Sequence, residues 1–413
     1  MGNGIGFRKS KGLTVAIVIA VVVMAIGIGA WAKQLAGGMV QTNMRNLDSW
    51  GLYITCFMFF VGLSAGGLII SSIPNALGME GFGGISKVAI WSAICSTCAA
   101  IGFVVVDLGN PVRLWELFAY SNMTSPLMWD ILVLSTYLIL SCVYLWATLR
   151  FEAGKLGHVA HRVLSVIALL IAVSVHSVTA WIFSLGTAHE FWHTALMGPW
   201  FVSSALVCGT ALVMVIVAAL RRAGYLEVAQ RNIVRMAKML AAFTAVDLYF
   251  FACDLLTSGY FGGDGQEVVA MLTTGQLAPF FWTQIVLSAT CMVICLVPKL
   301  RSTPLLVAGG TAAIIAVFCK RVQILVGGFQ IANLTDPGVM TDHTITFGGQ
   351  TLERAYEGMV YWPAPIEFAV AAGVVAMAVA LLLAGLKFLP LQPANASGSQ
   401  VEDGSRAASV ARS

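Results

Sequence analysis

Val106-Asp107-Leu108-Gly109-Asn110-Pro111-Val112-Arg113-Leu114-Trp115 ends a long apolar run with an acid, a glycine, a proline and an arginine in quick succession. The run before it is about 20 residues long, enough for a helix to cross the hydrocarbon core of a bilayer. The stretch therefore marks where a membrane helix gives out and the chain reverses. Thr124-Ser125-Pro126 closes the turn before the next apolar run. Gly109 and Pro111 are the residues expected to fix the reversal.

Composition generalises this reading. The 413 residues are 59% hydrophobic and 10% charged, against roughly 25% charged in soluble domains. Ten apolar runs are long enough to span, at about 13–31, 50–72, 86–107, 126–149, 162–186, 198–220, 235–257, 277–298, 303–326 and 362–388. The expected fold is an all-α polytopic membrane protein. The first run follows Arg8, Lys9 and Lys11 and is too long for a cleaved signal peptide, so it reads as a retained signal anchor. The tail after Pro390 is rich in Ser, Gly and Ala and reads as disordered.

Loop charges orient the chain. An inner N-terminus puts about 17 of the 23 Lys and Arg residues on the inner side, leaving Lys33, Arg45, Arg113 and Arg354 in outer loops and two within a span. This asymmetry favours both termini in the cytoplasm; a bacterial inner membrane is the expected location. Topology accounts for the basic residues, so nucleic acid is not an expected partner; lipid is. The nine cysteines all fall inside apolar runs. Cys95-x-x-Cys98 has metal-like spacing, but it lies mid-helix without a second pair and reads as packing. The chain offers no cluster-ligating array, and no metal site is expected.

A short repeat divides the spans. Pro126, Trp129, Val133, Leu134 and Ser135 at the start of span four recur at equal spacing as Pro279, Trp282, Val286, Leu287 and Ser288 at the start of span eight. Four spans separate the copies, so they point the same way. Two parallel four-helix units follow, with peripheral first and last spans. The expected divisions are 1–49, 50–197, 198–361 and 362–413. Gly62-Leu-Ser-Ala-Gly66-Gly67 is a small-residue face suited to close helix contact.

Ionisable residues inside a bilayer are costly and usually face the bundle interior. Counting depth at 1.5 Å per residue brings Asp107, Asp130, His176, Asp247, Asp254, Lys320, Arg321, Gln284 and Glu367 mostly to the outer half. Asp247 and Asp254 share a face, about 10 Å apart. Asp130 and Glu367 also fit ordinary helix-end polarity. Arg321 is the expected partner of Asp247 or Asp254, as a buried structural pair or at a site. His189 and His193 resemble half a metal site, but an amphipathic turn explains them more simply; interfacial anchoring explains Trp192 and Trp200. Quinone chemistry would use His and Asp as proton donors beside an apolar slot. An ion or solute transporter with a midplane polar site is the alternative. A haem b cytochrome needs two buried facing histidines, and only His176 is deep enough.

Asp107-Leu-Gly-Asn-Pro-Val-Arg113-x-Trp115 with Thr124-Ser-Pro126-x-x-Trp129, and Val175-His176-Ser177-Val178 with Trp192-His193 and Gly198-Pro199-x-Phe201, resemble the NrfD/polysulfide-reductase membrane-subunit family over about residues 45 to 330. Ten spans resemble its longer branch, which includes the membrane subunits of hydrogenase-2, alternative complex III and Qrc-type menaquinone reductase. The resemblance implies a menaquinone- or ubiquinone-binding subunit without haem or an iron–sulfur cluster of its own. It also implies a periplasmic four-cluster ferredoxin-like iron–sulfur partner, beside a molybdopterin, hydrogenase or multihaem cytochrome subunit. His176, Asp247, Asp254, Lys320 and Arg321 are then the candidate catalytic or proton-path residues. Asp107, Arg113, Tyr53, His193 and Trp115 are the candidate quinone-binding residues. Electrons enter from the periplasmic partner, or leave in reverse. Protons come from the periplasm or along inner-half hydroxyls such as Thr136, Ser141, Tyr144 and Ser174.

Overall fold

A computed structural model describes residues 10–44, 48–77, 83–187, 189, 191–260, 262–330, 346–347, 350–351 and 361–392. Arg8, Lys9, Arg45, Glu190, Arg354 and the tail beyond Gln392 lie outside the described residues.

Among the described residues, ten helices are long and apolar enough to cross a membrane. They are α1 (Lys11–Gly37), α2 (Leu52–Leu77), α3 (Gly83–Asp107), α4 (Pro126–Glu152), α5 (His158–Ser184), α6 (Met197–Arg222), α7 (Gln230–Tyr260), α8 (Ala278–Leu296), α9 (Thr303–Gln330) and α10 (Pro365–Phe388). The protein is an all-α polytopic membrane protein. Two short helices, Glu116–Ala119 and Asp264–Thr273, fill connections expected to be loops. Thr346–Phe347 pairs antiparallel with Gln350–Thr351.

Helix ends follow local chemistry. Gly109 adopts φ +65°, the left-handed conformation glycine tolerates, and ends α3. Pro111 then opens a 3-10 turn over Pro111–Arg113. Pro126 and Pro279 sit in the first turns of α4 and α8, where a missing N–H costs nothing. The two repeated tryptophans act alike: Trp129 Nε1 donates to Met123 O at 2.6 Å, and Trp282 Nε1 to Thr273 O at 3.0 Å. Each staples its helix start to the preceding connection.

Helices α2 to α5 close a ring of contacts, and α6 to α9 close a second. The rings meet along α2 and α6, flanked by α5 on α6 and α9 on α2. That meeting depends on the small-residue face: a Cβ on Gly66 would strike the Ala205 carbonyl, and one on Gly209 would strike Gly66. Helix α10 packs on α3 and α1, with Gly27 against Gly373. Helix α1 reaches the first ring through Gln34, which accepts from Tyr53 OH at 2.6 Å and donates to Val106 O at 3.3 Å.

Trp192 and Trp200, expected as interfacial anchors, are buried. Trp192 Nε1 donates to Ile324 O at 2.7 Å, which ties the α5–α6 connection to α9.

Candidate functional site

The polar groups that the depth count brings to one height divide into separate clusters. The first surrounds a cavity of about 320 Å³ inside the α2–α5 ring, at its Asp107 end. Its walls are apolar: Trp50, Ile54 and Phe57 on one side, Ile101 and Val104 of α3, Ile182 and Phe183 of α5. Leu114, Leu117 and Phe118, from the connection that follows Asp107, also line it. Two carboxylates enter this lining. Asp107 is the last residue of α3, and its Oδ1 is buried without a hydrogen-bond partner. Asp130, in the second turn of α4, accepts from Thr179 Oγ1 of α5 at 2.6 Å. Burying a polar atom without a partner costs roughly 1–3 kcal/mol, so Asp107 Oδ1 is the site's open valence.

The second cluster lies between the rings. Lys320 Nζ on α9 is 2.6 Å from Asp247 Oδ1 on α7, which also accepts from Ser203 at 2.9 Å. The ammonium sits 4.1 Å from the Trp200 ring centroid. Arg321 donates through Nη2 to Ser204 Oγ at 2.7 Å, lies 4.0 Å over Phe201, and places Nη2 3.3 Å from His176 Nε2. A guanidinium can only donate, so His176 Nε2 is the acceptor and the ring proton belongs on Nδ1. The expected Arg321–aspartate pair is therefore not formed: Lys320 takes Asp247, because α9 turns consecutive residues to different neighbours. Asp254 is buried, and its Oδ1 has no partner. Gln323 of α9 donates to Gln284 of α8 at 2.8 Å.

The other predicted residues lie elsewhere. Tyr53 is buried against Gln34, outside the cavity lining. Glu367 is also buried, as the acceptor for Tyr361 OH and for the backbone N–H of Asn43 and Ala364. Burial and that carboxylate push the Tyr361 hydroxyl well above its usual range. Arg113 does not reach Asp107. It is exposed and pairs with Glu116 at 2.7 Å, lining a more polar groove beyond the cavity roof. That pairing holds Glu116 below the usual carboxylate range. Trp115 is exposed beside Tyr120. His193 is exposed too, with Nδ1 3.2 Å from Ser184 O. Of the hydroxyls expected on an inner track, Ser141 and Tyr144 are buried, but Thr136 and Ser174 point out of the bundle and bond only to the preceding turn. Sequence reasoning brings Asp130 to the outer half without choosing between a site and helix-end polarity, and it misses Thr179. The succession Asp130, Tyr137, Tyr144, two turns from each to the next, is the available signal.

Comparison with known proteins follows the same lines. Residues 40–333 match the family described as "Polysulphide reductase, NrfD". The sequence is 30% identical over 410 residues, 94% of its length and 93% of the relative's, to a putative dimethyl sulfoxide reductase membrane subunit of Halobacterium salinarum. It is 26% identical over 403 residues to the "Hdr-like menaquinol oxidoreductase integral membrane subunit" of Archaeoglobus fulgidus, covering 96% of this protein and 99% of that one. It is 24% identical over 273 residues to a polysulfide reductase polypeptide of Wolinella succinogenes, covering 60% of this protein and 82% of that one.

Proposed function

This chain belongs to the NrfD polysulphide-reductase family, and from that premise we propose that it is the quinone-binding membrane subunit of a respiratory oxidoreductase complex. The observation that carries the reading is Asp107 Oδ1, buried and unpartnered in the lining of an apolar cavity. A quinone head group fits that setting: a flat apolar ring with a hydrogen-bond acceptor at each end. The description of the Archaeoglobus relative supports menaquinone. Trp50, Phe57 and Phe183 would hold the ring, and a protonated Asp107 would donate to a carbonyl. Asp130, steadied by Thr179, would hold the second exchangeable proton. A bound quinone supplies a couple of two electrons and two protons. The chain binds it, excludes water and holds those protons at the two carboxyls.

The cysteine spacing contains no cluster-binding array, so electrons come through another subunit. We assign that role to a ferredoxin-like iron–sulfur partner at the Asp107 end, beside a molybdopterin, hydrogenase or multihaem subunit. The positive-inside rule makes that end periplasmic and both termini cytoplasmic. The α2–α5 and α6–α9 rings are read as parallel repeats, of which the first holds the site.

The test uses the complex purified with its partners and a photoreactive naphthoquinone. Label is expected on peptides of α3 and α4, and Asp107→Asn should reduce labelling and quinone turnover at least about tenfold, given the usual worth of a charge-assisted or proton-donating contact. Unchanged labelling in both Asp107→Asn and Asp130→Asn overturns the assignment. A transporter remains the second reading because His176 Nδ1 and Arg321 Nε and Nη1 are buried without partners between the rings. It requires the isolated protein to move an ion or solute in proteoliposomes without any partner subunit.

A further inference from the structure

The α5–α6 connection carries a tryptophan, Trp192, that is buried but does not itself line the cavity. Its Nε1–H donates to Ile324 O of α9 at 2.7 Å. Helix α9 has no side chains where this ring lies. A Cβ on Gly328 would overlap the indole nitrogen, and one on Gly327 would lie 3.2 Å from the Phe191 ring. Two consecutive glycines near the end of a transmembrane helix thus make a seat for Phe191 and Trp192. Backbone bonds keep the connection folded over that seat: Trp192 N–H donates to His189 O at 3.0 Å, and Thr194 N–H to Trp192 O at 2.8 Å.

The other contacts of the indole run to the cavity wall. Trp192 and Trp50 are stacked, with 6.3 Å between centroids and 29° between planes. Trp192 meets Phe183 edge to face at 5.2 Å. Trp50 and Phe183 both line the cavity, and they meet each other at 6.0 Å and 77°. Phe329, beside the glycine pair on α9, sets its ring across both tryptophans, 5.0 Å from Trp192 and 6.1 Å from Trp50. Trp50 lies two residues before α2 begins. Helical backbone therefore does not fix its direction, and the rings around it do. One wall of the cavity in the first ring is thus braced from α9 of the second, with Trp192 as the link.

We propose that Trp192 is a positioning residue for the cavity: anchored on α9, it sets the orientation of Trp50 and Phe183 and, through them, the affinity for a flat ring. The proposal rests on the quinone reading of the cavity. An indole has a single N–H donor, and spending it on Ile324 O fixes how the ring lies in its seat. Trp192 then meets Trp50 and Phe183 in the stacked and edge-to-face arrangements that aromatic rings prefer. Walls held in place beforehand spare a ligand the cost of ordering them when it binds. Without the anchor the same walls are present but free to tilt. The carboxyls of Asp107 and Asp130 stay where α3 and α4 put them. The effect therefore falls on binding and not on turnover at saturation.

The experiment uses the purified complex with its partners and reads two quantities. One is the half-saturating concentration of the photoreactive naphthoquinone in labelling α3 and α4. The other is kcat at saturating menadione, with reduced methyl viologen as donor. Trp192→Leu should raise half-saturation about tenfold and leave kcat within about twofold of wild type. Trp192→Phe keeps a ring beside Trp50 and Phe183 without the bond to Ile324, and should fall between the two. Gly328→Ala pushes the indole from its seat and should raise half-saturation about threefold or more; added to Trp192→Leu it should contribute less than about twofold, because the clash has lost its partner. Should Trp192→Leu fail to assemble, Trp192→Phe and Gly328→Ala give the same test. Unchanged half-saturation in the assembled variants overturns the proposal, as does a loss of kcat at unchanged half-saturation; Trp192 then only fastens the α5–α6 connection to α9. Absence of saturable labelling in wild type overturns the quinone reading, and this proposal with it.

Discussion

Replacing Asp247 by Asn leaves the Lys320 ammonium buried without its counter-ion. The two atoms are 2.6 Å apart, and the side chains are 1% and 8% exposed. At an effective dielectric of about 20 their attraction is roughly 6 kcal/mol, much of it offset by the desolvation of two ions. Removing one partner deletes the attraction and leaves the other ion's desolvation in place, so Asp247→Asn should cost about 3–5 kcal/mol. Asn keeps the volume and can still accept from Ser203, so the loss reports charge rather than a void. Lys320→Met should cost a similar amount, since it also removes the cation from the Trp200 ring. The double substitution removes both charges and should cost less than the sum of the two singles, by roughly 0.5–3 kcal/mol, because contacting residues couple. Unfolding of the purified protein in mixed detergent and SDS, followed by tryptophan fluorescence, measures all three. Single substitutions costing below about 1 kcal/mol, or a double costing the sum of both singles, would refute the pairing.

Two further outcomes follow from packing. Gly66→Leu should destabilise the junction of the rings by about 1–3 kcal/mol or more, because its Cβ meets backbone of α6 that cannot give way. Gly67→Ala is the control, since its nearest neighbour would be Ala89 O at 3.4 Å; equal losses in detergent-stable yield would refute the argument. Phe118→Ala should open the cavity roof, speeding naphthoquinone dissociation severalfold while changing stability by less than about 1 kcal/mol, because Phe118 is largely exposed. A dissociation rate equal to wild type would show that the ring is not part of the closure.

Much of the fold is legible in the sequence because membrane helices declare themselves by length and apolarity. Their ends declare themselves too: Gly109, Pro126 and Pro279 stop or start helices as their backbone chemistry requires. Depth along a helix is also readable, which is why Lys320, Arg321, His176 and Asp247 do gather. Azimuth is not readable in the same way. Lipid-facing and interior faces of these helices are equally apolar, so no periodicity says which side of α9 meets α7 and which meets α5. Sequence alone therefore gives Arg321 the aspartate that Lys320 takes, and it puts Thr136 and Ser174 inside the bundle. Arg113 and Trp115 lie in the right connection, but proximity in sequence to Asp107 does not turn their side chains toward the cavity.

The separation of the two clusters bears on how each can work. Phe183 lines the cavity, and Phe201 lies beneath the Arg321 guanidinium; the two rings are 6.0 Å apart. An aromatic partition thus stands between the acids of the cavity and the cations of the interior. Helix α5 serves both sides: Thr179 bonds to Asp130, and His176, one turn away, meets Arg321. Asp247 is committed to its contact with Lys320. A carboxylate that faces an apolar cavity, as Asp107 does, is free to exchange a proton with whatever fills it. Had the cations lined the cavity, the same acids would hold the protein together and have no proton to give. Substituting Phe201 by Ala would thin this partition, and quinone labelling that then becomes sensitive to Arg321→Gln would reveal the guanidinium reaching the cavity. Labelling indifferent to Arg321 in the Phe201→Ala protein would mean that the partition does not separate the two clusters.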